Sequence, residues 1–287
     1  MMTFNPGDAH DQEILQEYRA FLRDFIGLNI RDEDVNLIFS KLASRLRVLG
    51  LPDYESYLRI IQSDTAQGEA ERVVLGYILT VTQTYFMRDP EQLAFLQQQI
   101  LLPLIQTQGN SQTLKIWSAG CATGEEPYTI AMILDGMLKH QSPWTIQILA
   151  TDINSQALEK AKDGIYPLSA LKELSLEQRA TYFSEYKKFW KFRDDLRQWI
   201  TFRIENLVDE GLNQKIDRGI LGGFDLIICR NVFIYFDYET MNKVLQIFHK
   251  ALKSQGYLVM GRNELQGREL EGFTRIPGEE GRAYQKI

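Results

Sequence analysis

Gly120 and Gly124, four residues apart, are followed at once by Glu125, Glu126 and Pro127, and the whole run from Leu114 to Thr129 reads as a short buried strand, a glycine turn and the first turn of a helix. Glycines so spaced let the backbone turn tightly and lie close to a ligand. Pro127 suits a helix start, where its missing N–H has no partner to lose. A phosphate-cradling loop would present bare N–H groups to an anion, with a lysine in the nucleoside triphosphate case. Here two carboxylates occupy the anion's place. The loop therefore suits a ligand that carries positive charge or hydroxyls instead of phosphates, and S-adenosylmethionine, with its sulfonium, amino group and ribose, meets that description. The competing reading is that Glu125 and Glu126 only complement the helix dipole, worth about 0.3–1 kcal/mol.

Other residues that could do chemistry lie at strand ends. Ile146 to Ala150 forms a second apolar strand that ends at Thr151-Asp152, and an acidic residue there is where nucleoside-binding folds engage ribose hydroxyls. Asp152 could instead cap the helix expected from Ser155 to Lys162; both roles need different oxygens. The apolar strand Phe224 to Cys229 delivers Arg230, Asn231 and Tyr235 to the crevice outside the carboxyl ends of an open α/β sheet. Thr82 to Arg88 is a polar lead-in able to fold over a ligand, or a linker whose Arg88 pairs with a surface carboxylate. After it, Asp89 as N-cap and Pro90 at the first helical position open a helix continued by Leu93, Leu96, Ile100 and Leu104.

The elements that must position these groups fall into two kinds. Before about Phe86 there is only helical patterning, which predicts a separate all-helical domain over 1–81. From Asp32, read as an N-cap, Val35, Ile38, Leu42, Leu46 and Leu49 recur at helical spacing until Gly50 and Pro52. Lys41, Arg45 and Arg47 ride on its exposed side as a basic patch, or as an ordinary solvated face. Further helices are expected over Tyr54 to Ile61 and Glu69 to Thr80. Over 82–287 strands and helices alternate, which implies a right-handed βαβ unit and a mostly parallel sheet. After a helix starting near Ser175, the stretch 186–204 interleaves Phe189, Phe192, Trp199 and Phe202 with Lys and Arg. It reads as a small antiparallel insertion turning at Asp194-Asp195, in preference to a stacking surface for single-stranded nucleic acid. Asp237 should cap a helix through Leu252, with a strand over Tyr257 to Met260 and a closing hairpin around Phe273 to Ile276 and Ala283 to Ile287 as the antiparallel edge of a mixed sheet.

The bulk numbers agree with a globular protein. The 287 residues are 44% hydrophobic and 24% charged with a net charge of −6, which speaks against whole-surface nucleic-acid binding. Two cysteines exclude a disulfide framework, and no apolar run approaches membrane-spanning length. A cytoplasmic monomer is expected, with no metal and no membrane insertion.

Over nearly its whole length the chain resembles the chemotaxis receptor glutamate methyltransferases, the CheR family. The resemblance rests on Gly124 to Tyr128, on Thr84, Phe86 and Arg88, on Cys229 to Phe236, and on Arg45, Leu46, Arg47, Leu49, Gly50 and Leu51, in order and spacing. It implies a Rossmann-like α/β domain that binds S-adenosylmethionine and yields S-adenosylhomocysteine, preceded by an all-helical domain and carrying a small antiparallel subdomain, which in some members pairs with a receptor peptide. By the same resemblance Thr82, Thr84, Arg88, Gly120, Glu125, Asp152, Asn206, Leu207, Arg230 and Asn231 surround the cofactor. Arg88 and Tyr235 border the transferred methyl group, and Lys41, Arg45 and Arg47 touch the acidic methylation region of a chemoreceptor cytoplasmic domain. Thr82, Met87 and the stretch 261–264, Gly-Arg-Asn-Glu, depart from the common Asn, Phe and Gly-His-Ser-Glu.

The implied reaction is methyl transfer to a protein glutamate carboxylate, giving a methyl ester. A glutamate with an ordinary pKa of about 4.3 is already the nucleophile at neutral pH, so no general base is needed; none of His10, His140 and His249 lies in a cofactor motif. Three alternatives remain open: a methyltransferase for a small acid or an RNA, a non-catalytic sensor of S-adenosylmethionine or S-adenosylhomocysteine, and an NAD-dependent oxidoreductase. The last lacks the usual Gly-x-Gly-x-x-Gly here.

Overall fold

The computed structural model describes residues 4–5, 7–107, 111–139, 141, 143–262, 264–265, 268–278 and 282–287; His140 and Asn263 lie outside this set. Before the first strand the chain is all helical. Helix α1 (Ala9–Ile26) starts at the Asp8 cap and ends at Gly27, whose φ of 74° is the left-handed stop that favours glycine. Asp32 does not cap α2 (Val35–Leu49): it opens a single 3-10 turn, Asp32–Asp34, and pairs with Arg19 at 2.5 Å. Of the predicted stripe, Val35, Ile38, Leu42 and Leu46 are buried and Leu49 is half-buried against the same core. The stripe packs with Tyr18, Leu22, Tyr57, Ile61 and Leu75 into one core shared with α3 (Tyr54–Gln62) and α4 (Ala66–Leu79).

Helix α5 (Pro90–Leu96) runs through a wider turn, Gln97–Leu101, into α6 (Leu102–Thr107). Then strands and helices alternate: β1 (Thr113–Ala119), α7 (Glu125–Leu138), β2 (Thr145–Asp152), α8 (Ser155–Asp163), β3 (Ile165–Tyr166), α9 (Leu176–Tyr182), β4 (Phe183–Tyr186), β5 (Phe189–Phe192), α10 (Asp194–Arg197), β6 (Ile200–Ile204), α11 (Glu210–Asp217), β7 (Phe224–Cys229), α12 (Tyr238–Ala251), β8 (Leu252–Met260), β9 (Phe273–Arg275) and β10 (Arg282–Lys286). The large sheet has the order β6-β2-β1-β7-β8-β10-β9. Strands β6 to β8 are parallel, and β10 and β9 supply the antiparallel edge. Ile116, Ile148 and Ile228 face Tyr128, Ile130 and Leu134 of α7 on one side of the sheet. Trp117, Ile227 and Leu258 meet Leu212, Val244 and Phe248 of α11 and α12 on the other. Burial on both faces explains the apolar run Leu226 to Cys229 of β7.

The small antiparallel sheet is real but lies elsewhere than expected. Its order is β3-β5-β4, so it spans Ile165 to Phe192, and the hairpin turns at Lys187, where φ is +56°. The period-two stretch Ile200, Phe202 and Ile204 belongs to the large sheet, paired in parallel with Ile148, Ala150 and Asp152. Asp194 and Asp195 open the turn of α10, held by Lys191, Arg193 and Arg197 over the buried Leu196. Alternation locates a half-buried strand without naming its partner, and here the partner is β2. Among the described residues no helix is long and apolar enough to cross a membrane.

Candidate active site

Four parallel strands end on one side of the molecule, and their following loops line a crevice of two adjoining chambers. Both chambers share Gly120, Ala122, Asn231 and Tyr235. Gly120 follows β1 with φ +76°, and a Cβ there would lie 2.3 Å from Val232 Cγ2, so the loop after β1 and the turn after β7 touch at this point. The N–H groups of Gly120 and Cys121 donate to Thr151 O at 2.8 and 2.9 Å, fixing the loop to the end of β2.

Asp152 closes that end. Its Oδ2 accepts from Ala122 N and its Oδ1 from Asn154 N, both at 2.8 Å, while Asn154, not Asp152, caps α8 through Ala157 N. Burial pushes the Asp152 carboxyl above the usual range against the pull of those N–H groups. A carboxylate offers about four acceptor sites, so capacity remains there for a ligand hydroxyl or amine.

The two adjacent glutamates part company. Glu125 turns away from both chambers, accepts from Thr123 Oγ1 at 2.6 Å and lines a separate cleft with Lys160 and Tyr166. Glu126, which sequence reasoning passed over as a site residue, lines the first chamber, accepts from Ser118 Oγ at 2.7 Å and faces Arg230 at 3.4 Å. Burial raises both carboxyls, with Arg230 opposing at Glu126.

Arg230 is buried and acts as a clamp. Its guanidinium donates to Gln92 Oε1 at 2.7 Å, Asp89 Oδ2 at 2.7 Å and Arg88 O at 3.0 Å. Asp89 therefore serves as an ion-pair partner and makes no side-chain cap to α5. The clamp holds the lead-in, where Met87 and Asp89 both have positive φ, 58° and 59°. Phe86 anchors the same segment among Tyr166, Phe183 and Phe192. Thus Thr84 and Arg88 are presented to the first chamber and Thr82 to the second. Arg88 is half-buried and donates to Gln83 O at 3.0 Å. Tyr235 stands where the chambers meet; burial raises its phenol, and the nearby Arg88 charge opposes that rise.

The second chamber is bounded by Leu207 and by Asn206, whose amide is already engaged, donating to Phe25 O at 2.5 Å and accepting from Val208 N at 3.2 Å. Its opposite wall, Ile26, Leu28 and Leu79, comes from the helical region. Nothing in sequence marks those three, which read as ordinary helix core. Asn29 N donates to Tyr235 O and Arg31 to Ile234 O, so the helical region also braces the Tyr235 turn.

The basic patch is split by the fold. Arg45 is no exposed ligand: it pairs through two hydrogen bonds, at 2.8 and 2.5 Å, with the buried Glu71, which also accepts from Tyr57 Oη at 3.2 Å. Position 45 faces α4 instead of solvent because Glu71 waits there to be neutralised. Lys41 is half-buried, with its amine lowered by burial, and Arg47 is exposed, folded back on Ser44 Oγ at 2.9 Å.

Comparison with known proteins agrees with this architecture. Residues 82–281 match the model of the CheR methyltransferase SAM binding domain, and residues 13–75 that of the CheR methyltransferase all-alpha domain. The chain is 35% identical to a chemotaxis protein methyltransferase of Borreliella burgdorferi, covering 83% of each chain. It is 33% identical to one of Salmonella typhimurium, covering 90% of this chain and 84% of that one. It is 32% identical to one of Escherichia coli at the same coverage, 90% and 84%. Two family models matched in order, together with relatives aligned along most of their lengths, show that the chain belongs to the CheR methyltransferase family.

Proposed function

We propose that this chain transfers the methyl group of S-adenosylmethionine to the side-chain carboxylate of glutamates in chemoreceptor cytoplasmic domains, giving glutamyl methyl esters. The observation that carries the reading is the meeting of Arg88 and Tyr235 in one chamber, beside a second chamber lined by Asp152, Asn206 and an apolar wall. That donor set fits the cofactor: carboxylates for hydroxyls and an amine, Leu28, Leu79 and Leu207 for a flat base, and no phosphate cradle. When bound, the cofactor supplies a methyl group made electrophilic by its sulfonium.

The chain's own work is positional. Asp152, on this reading, accepts from ribose hydroxyls, and the glycine loop permits close approach. Arg88 donates charge-assisted hydrogen bonds to the incoming glutamate carboxylate, and Tyr235 Oη orients the same group from the other side. Alignment of a carboxylate that is already ionised, with water displaced from it, contributes several kcal/mol, roughly 7 or more where the in-line geometry is good. The partner is the acidic, glutamate-bearing surface of a receptor, met in the cytoplasm by the enzyme as a monomer.

Arg88→Ala is expected to lower methylation of receptor fragments about a hundredfold, equivalent to about 2.7 kcal/mol, and Tyr235→Phe about tenfold. For Tyr235→Phe, affinity for S-adenosylhomocysteine by calorimetry should stay within about threefold of wild type. Arg88→Ala at the wild-type rate would remove Arg88 from the chemistry.

A further inference from the structure

The turn between β7 and α12 carries Asn231 and Tyr235 into the crevice, and it is wedged from two sides. On one side Val232 sits on Gly120, as described above. On the other is Glu264, buried at 4% exposure, whose role no motif assigned. Its Oε1 accepts from Val232 N at 2.7 Å and Phe233 N at 2.8 Å, and its Oε2 from Gly261 N at 2.5 Å. A Cβ on Gly261 would lie 2.5 Å from that same Oε2 and 3.2 Å from Asn231 N, so a side chain there would press on the carboxylate and displace it. Every partner of the carboxylate is a backbone N–H donor, Asn231 N among them. A carboxylate offers acceptors on both oxygens, whereas an amide would set its own N–H against one of them. The turn is tight: Asn231 has φ +62°, in the left-handed region that asparagine enters more readily than most non-glycine residues.

We propose that Glu264 is a positioning residue for methyl transfer: its buried carboxylate ties the end of β8 to the turn that presents Asn231 and Tyr235, and so sets where the Tyr235 hydroxyl meets the substrate carboxylate. The proposal rests on the reading of Tyr235 given above. Glu264 lines neither chamber and acts through the turn.

The test is a double-mutant cycle in the full chain, with Glu264→Gln, Tyr235→Phe and the pair, read as kcat and KM for methylation of receptor fragments and as melting temperature. Glu264→Gln is expected to lower kcat about tenfold or more, with KM for receptor within about threefold. In the Tyr235→Phe background its further cost should shrink below about threefold. Gly261→Ala, which displaces the carboxylate without removing it, should behave in the same way and serves where Glu264→Gln does not fold. A wild-type kcat in a folded variant, or a penalty that multiplies undiminished on Tyr235→Phe, overturns the role of Glu264. Tyr235→Phe at the wild-type rate counts instead against the reading of Tyr235, and Glu264 then stands or falls on the kcat of Glu264→Gln alone.

Discussion

At the scale of single residues, identity was easier to read than direction. Asp152 was legible because a strand end fixes where its last side chain points, and the structure puts it against the glycine loop with both oxygens engaged. Glu125 and Glu126 were not separable in the same way. Neighbours on a helix point about 100° apart, so which one enters the crevice depends on the phase at which α7 leaves the loop. Arg45 is the larger revision. Its type and spacing suggested an exposed ligand, yet its partner Glu71 lies 26 residues on, in a helix whose docking no local pattern reveals. Removing one member of such a buried pair leaves an uncompensated charge, so Arg45→Ala should destabilise the fold by about 3 kcal/mol, seen as a lower midpoint in urea denaturation. An unchanged midpoint would return Arg45 to the surface patch.

At the scale of elements, periodicity found helices and strands but not their partners. The stripe of α2 and the apolar run of β7 were read correctly because burial on one face or on two leaves a direct mark on sequence. The stretch 200–204 also carried the mark of a strand, and its assignment to an insertion failed because pairing with β2 is a long-range fact. For α2 the corrected geometry changes the experiment. Lys41 and Arg47, not Arg45, remain to meet an acidic receptor surface. Lys41→Glu with Arg47→Glu is expected to raise KM for receptor fragments about tenfold while S-adenosylhomocysteine affinity and melting temperature hold. Unchanged KM would make the face an ordinary solvated one.

At the scale of the whole molecule, the helical region and the sheet meet at the crevice. Ile26, Leu28 and Leu79 wall it, Asn29 and Arg31 brace the Tyr235 turn, and Asn206 ties back to Phe25. These contacts were not legible, since Ile26, Leu28, Asn29, Arg31 and Leu79 look like ordinary core or loop until two independent patterns are docked. The same crowding has a consequence for pH. Burial raises the carboxyls of Glu125, Glu126, Asp152 and Glu264 above their ordinary values of 4.5, 4.5, 3.8 and 4.5. Between those ordinary values and the raised ones the folded chain binds more protons than the unfolded chain. Ionising the four groups as pH rises through that window therefore costs stability. His249 opposes weakly: its value is lowered from 6.5, so the folded chain binds fewer protons there and loses stability as pH falls below 6.5. Asp53, Asp194 and Asp195, whose carboxyls lie below 3.8, contribute stability that is lost only beneath this window. Without ligand, these four carboxyls are expected to raise the melting temperature as pH falls toward 4.5, the ordinary value of the three glutamates; a steady fall on that approach would contradict these assignments. The account as a whole stands on what the crevice does. Incubation of the chain with methyl-labelled S-adenosylmethionine and purified receptor cytoplasmic fragments should place label on glutamates of the receptor, released as methanol by mild alkali and lost with Arg88→Ala. Absence of transfer, or label that survives alkali, would contradict it.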